Sequence, residues 1–125
     1  MQMLKVTLVA AAACALAATA IAEPVHLTDV QFLAANRCLG LMSSKGLGTP
    51  DAATLGRYVK AQSTGRIGYV YDRADQARDD AQREGDRDSA ATDPRLIAER
   101  DGVCRGFVGA ASTTAAAAPR SAHTM

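Results

Sequence analysis

The chain has 125 residues, 48% apolar and 4% aromatic, with 14 basic and 13 acidic side chains. The near-neutral balance excludes the broad basic surface of a general nucleic-acid binder and the polybasic patch of an electrostatic membrane binder. The apolar share is that of a globular protein, and the length allows one small core.

Residues 1–22 read as a secretory signal peptide. Lys5 supplies a minimal basic region, Val6 to Ala18 is apolar apart from Thr7, and Ala20-Ile21-Ala22 fits a small-residue cleavage site before Glu23. The apolar run is short for a membrane span, and no basic stop-transfer cluster follows it. No stable span is expected after cleavage. Lipidation of Cys14 is a competing reading. It is disfavoured because Ala11 stands where leucine usually precedes a lipidated cysteine, and the apolar run continues past Cys14. Removing residues 1–22 takes away Lys5 and Cys14, leaving 13 basic and 13 acidic residues and two cysteines. Two cysteines in an exported chain predict one disulfide, Cys38–Cys104. Eleven arginines and abundant alanine resemble the composition of proteins from GC-rich bacterial genomes. The expected location is the periplasm or the medium.

The first helix is expected over residues 28–45. Thr28 and Gln31 have capping-box spacing, Leu27 and Phe32 staple spacing, and Asp29 sits in the first turn. Val30, Leu33, Ala34, Cys38 and Leu41 recur at helical spacing, which puts Cys38 toward the core. Lys45 and Gly46 give a last turn and a left-handed stop. The second helix is expected over residues 50–63, capped by Thr49 with Pro50 at its first position and Asp51 in its first turn. Its apolar face is Ala52, Leu55, Tyr58, Val59 and Gln62. Gly56 weakens it, and Ser63-Thr64-Gly65 ends it.

The third helix is expected over residues 67–84, with a seam of Ile67, Val70, Ala74, Ala77 and Ala81. A short strand over Ile67 to Tyr71 is the alternative, set aside because the helical period continues for further turns. The small residues predict a close crossing. Arg73, Gln76, Asp80 and Arg83 form the solvated face. After a polar loop, Asp93 and Pro94 start a fourth helix over residues 94–109, with Leu96, Ile97, Val103, Cys104, Phe107 and Val108 on its apolar face. Gly102 and Gly106 are spaced for close packing. Residues 110–125 read as a disordered Ala/Ser/Thr-rich tail after a helical domain of residues 23–109.

The expected fold is therefore all-α, a small four-helix bundle stapled by one disulfide. A Cys38–Cys104 bond brings the first and fourth helices together, and the chain-entropy model values such a long loop at roughly 4 kcal/mol.

Chemical machinery is sparse. His26 and His123 lie outside the expected helices and form no zinc-ligand pair. There is no Cys-x-x-Cys, and Gly46-Leu47-Gly48-Thr49 lacks the spacing and lysine of a phosphate loop. The carboxylates of residues 72–88 are interleaved with arginines, with Asp75–Arg78 and Asp79–Arg83 at pairing distance along a helix, and they lack a calcium-loop pattern. No catalytic, cofactor or metal residues are assigned and no cofactor is expected. Tyr69 and Arg73, four apart and off the apolar seam, are the candidate interaction surface.

The layout of a signal peptide, compact helices and cysteines in early and late helices is similar to that of bacterial immunity proteins against secreted amidases. That resemblance implies a small exported binding or inhibitor module whose partner is another exported protein. A periplasmic stress or chaperone-like protein is the alternative, since an alanine-rich bundle is weakly held. An enzyme is the weakest reading, for want of a positioned base, nucleophile or metal.

Overall fold

A computed structural model describes residues 25–117. The expected signal peptide, Cys14, His123 and the end of the expected tail lie outside the described residues.

The described chain is all-helical. α1 spans Asp29–Met42, α2 Ala52–Gln62 and α3 Gly68–Gly85. A 3-10 turn, Ala90–Thr92, leads to a long fourth helix, α4. α4 runs unbroken through an α segment Pro94–Glu99, a π turn Arg100–Cys104 and a second α segment Arg105–Ala117. No strand occurs among the described residues, and of Ile67 to Tyr71 the last four open α3, with Ile67 as its extended N-cap.

Local chemistry sets two helix starts as expected. Thr28 Oγ1 accepts from the Gln31 amide at 3.2 Å, and the Thr28 amide donates to Gln31 Oε1 at 2.9 Å. Asp93 Oδ1 accepts from the Arg95 and Leu96 amides, with Pro94 at the first position. The expected Thr49 cap does not form. α2 begins at Ala52, the Thr49 backbone carbonyl accepts from the Ala52 amide at 3.2 Å, and Thr49 Oγ1 is enclosed without a partner. Nor does Gly46 make a left-handed stop, since α1 ends at Met42 with Ser43 in right-handed backbone. Gly46 instead donates its amide to the Gly85 carbonyl at 2.9 Å. The positive φ, 81°, belongs to Gly65, which turns the chain from α2 into α3.

α1 is the shared wall of the bundle. Gln62 at the end of α2 accepts from the Leu27 amide, while Thr49 before α2 bonds Met42, so α2 returns antiparallel. α3 runs parallel to α1, because Phe32 meets Tyr71, Gly40 meets Arg78 and Ser44 meets Gly85. α4 descends again, passing α1 at Cys38 and ending against α2. The α1–α3 contact is the most extensive in the molecule, and small residues make it so. A Cβ on Gly40 would stand 2.1 Å from the Arg78 carbonyl oxygen and 3.0 Å from Ala81 Cβ. A Cβ on Gly85 would stand 2.1 Å from Ser44 Oγ. The alanine seam of α3 does receive a close neighbour, and glycines supply it.

Several expected core positions are on the surface. Val30 is 79% exposed and Ile67 68% exposed, because the parallel α1 and α3 meet through Phe32, Ala35, Val70 and Ala74, one face over. Val103 is 62% exposed while Leu96 and Cys104 are buried. The π turn explains this. Eight α residues at about 100° each would place Cys104 roughly 80° around from Leu96. A turn bonded i→i+5 absorbs one residue, so Cys104 returns to within roughly 20° of Leu96 and Val103 swings outward. Gly102 and Gly106 have no neighbour within 4 Å of an added Cβ, so neither serves close packing.

Cys38 and Cys104 are bonded, with S–S 2.08 Å and Cα–Cα 5.2 Å, and both are buried. The expected tail boundary also moves. α4 continues past Gly109 to Ala117 because Ala111 is buried and, with Thr114 and Ala115, lines a cleft against Thr54, Tyr58 and Ala61 of α2.

Candidate functional site

α2 and α3 both pack on α1 and barely touch each other. Between them lies a groove of about 360 Å³. Phe32, Asn36 and Leu39 of α1 form its floor, with Val59 and Ala74 on its flanks. Lys60 and Ser63 stand on the α2 rim, and Asp75 and Arg78 on the α3 rim.

One end of the groove is fixed by Arg66, whose side chain is only 3% exposed. Its guanidinium carbon lies 4.2 Å from the Phe32 ring centroid. Nη1 pairs with Asp29 Oδ1 at 2.6 Å, Nη2 donates to the Leu27 carbonyl at 2.7 Å, and Nε donates to the Gln62 carbonyl at 2.8 Å. One side chain thus joins the start of α1 to the end of α2 and locks Phe32. Tyr71 meets Phe32 edge-on, with centroids 6.5 Å apart, and its hydroxyl donates to the Ser63 carbonyl.

Asn36 is polar yet 2% exposed on the groove floor. Its Nδ2 donates to the Phe32 carbonyl at 2.9 Å, and its Oδ1 accepts no hydrogen bond among the described residues. Arg78 on the rim is held by Asp75 at 2.8 Å, as the sequence spacing predicts. Arg83 pairs with Asp80 rather than the expected Asp79.

A second polar cluster joins α1, α3 and α4. Arg37 binds Glu99 through Nε at 2.6 Å and Nη2 at 3.0 Å, and Glu84 through Nη1 at 3.0 Å. Arg95 adds a longer contact to Glu84 at 3.4 Å. The hydrogen bond from Arg37 holds the Glu84 carboxyl below its ordinary range, against the opposing effect of burial, and Arg95 adds to it. Its two carboxylates hold the Arg37 guanidinium more firmly protonated. The cluster is closed on itself and ties elements together.

Tyr69 and Arg73 both face solvent on α3; Tyr69 is 69% exposed and Arg73 Nη1 donates to Gln76 Oε1 at 3.3 Å. They lie off the groove, which is lined from α3 by Tyr71, Ala74, Asp75 and Arg78. His26 is exposed before α1. Sequence reasoning passed over Asn36, Arg37, Arg66 and Glu99. Asn36 and Arg37 carried a readable signal, being polar residues next to the apolar positions of a strongly capped helix.

Among the described residues no helix is long and apolar enough to cross a membrane. Comparison with protein families, with curated proteins and with solved structures finds no match for this chain.

Proposed function

We propose that the chain is a small exported binding module, of inhibitor or immunity type, that engages another exported protein through the groove between α2 and α3. The observation that carries this reading is the groove itself: an apolar floor with a buried amide, polar rims, and walls fixed by Arg66 and by the packing on α1. The Cys38–Cys104 bond supports export, since such bonds persist in oxidising compartments. The signal-peptide reading of residues 1–22 supports it from the sequence side.

Exposed Val25, Val30, Ile67 and Tyr69 favour the second reading, a chaperone-like protein that holds unfolded clients on apolar surface. Affinity capture by the mature protein from an exported fraction tests the two. The binding-module reading expects one partner at a fixed stoichiometry. A heterogeneous set of unfolded clients would replace it with the chaperone reading.

A further inference from the structure

Gly56 is anomalous in the groove wall. It lies inside α2, where glycine is the least favoured residue after proline. Its backbone is not left-handed, and an added Cβ would meet only Leu39 Cδ1, at an ordinary 3.7 Å. Neither conformation nor packing requires glycine. Its effect is to leave the space above Leu39 open.

Asn36 is the second anomaly. A buried amide acceptor without a donor is costly unless something reaches it. Thr49 Oγ1 is the one fully enclosed side-chain polar atom without a partner among the described residues; Asn36 Oδ1 also lacks a donor but is not fully enclosed, and Asn36 lines the groove. Lys60, one turn beyond Gly56, makes no ion pair among the described residues, whereas Arg78 opposite is already held by Asp75. The groove is open to solvent, and Ile67, just before α3 and one turn before Tyr71, is 68% exposed. A peptide offers an apolar side chain, a backbone N–H and a carboxylate in succession, the three features that Leu39 with Val59, Asn36 and Lys60 complement.

We infer that the groove takes an extended segment of the partner polypeptide: an apolar side chain sits over Leu39 and Val59, its backbone N–H donates to Asn36 Oδ1, and a carboxylate just after it pairs with Lys60. This deepens the binding-module reading and rests on it.

N-acetyl-leucine carries all three features and serves as the minimal probe. Amide chemical shifts of the mature, oxidised protein are followed on titration. The expected result is a saturable response confined to residues around Asn36, Leu39, Gly56, Val59 and Lys60. N-acetyl-N-methyl-leucine, which lacks the N–H, should bind about tenfold more weakly. N-acetyl-leucinamide, which lacks the carboxylate, should bind about threefold to fivefold more weakly. Gly56→Leu fills the groove and should abolish the response while helical circular dichroism is retained. Lys60→Gln, at an exposed position, should weaken N-acetyl-leucine and leave its amide unaffected. No saturable groove response, or equal affinity for all three probes, overturns the inference. A natural partner held equally by wild type and Gly56→Leu overturns the groove as the binding site, here and in the proposed function alike, and leaves only a binding module that uses another surface.

Discussion

Glu84 shares Arg37 with Glu99, and that arrangement makes stability depend on acid. Because the folded pKa of Glu84 is depressed, its contribution is present above the ordinary carboxylate range and is lost as pH falls through the depressed value. Glu84→Gln should therefore cost about 1–2 kcal/mol at about pH 7, a range discounted for partial exposure, and less at about pH 3. Urea unfolding of both proteins at the two pH values checks this; an equal cost at both would remove the ionic account. Gly40→Ala forces a Cβ to within 2.1 Å of the Arg78 carbonyl oxygen. It should destabilise by about 1–3 kcal/mol despite the better helix propensity of alanine, as read by thermal unfolding. The caps at Thr28 and Asp93 were legible in the sequence because their chemistry is local, and the Cys38–Cys104 pair was legible because only two cysteines follow residue 22. Gly40 and Arg66 were not, because each acquires its role only when α1 meets α2 or α3; at Asn36 and Arg37 the polarity beside apolar positions was readable, but not the partners.

At the scale of elements, α4 is where a simple periodic reading fails. The template over residues 94–109 treated Val103 and Cys104 as equivalent, and only an absorbed residue separates them. If the π turn is one residue inserted into an α-helix, deleting Gly102 should restore regular α geometry without changing the register of Cys104 against Leu96. The deletion variant should keep the Cys38–Cys104 bond and melt no lower than wild type, since it also removes a glycine from a helix interior. Free thiols in the folded variant would show that the π turn is needed to place Cys104. α1 through α3 were legible as helices from their seams. The groove was not, because it is a gap between α2 and α3, and a gap has no periodicity. The helical end of α4 was hidden by composition: Ala110 to Ala117 look like low-complexity tail until Ala111 finds α2.

At the scale of the molecule, a short bundle with few aromatic side chains depends on its staple. Reduction of the Cys38–Cys104 bond should lower stability by about 2–5 kcal/mol with helical content retained at low temperature. Thermal unfolding with and without reductant reads this directly. The staple holds α4 on one side of α1, which leaves α2 and α3 to frame the groove on another. The central claim is that a partner binds in that groove. After residue 22 the chain has two lysines, Lys45 and Lys60, and both are exposed. Lys60 stands on the groove rim, and Lys45 lies in the turn after α1, where its amide donates to Asp86. Lysine acetylation footprinting of the mature protein, alone and bound to its captured partner, tests the claim with a control in the same chain. The account predicts that Lys60 is shielded in the complex and Lys45 is not. Equal labelling of Lys60 in both states, or shielding of Lys45 alone, would contradict it.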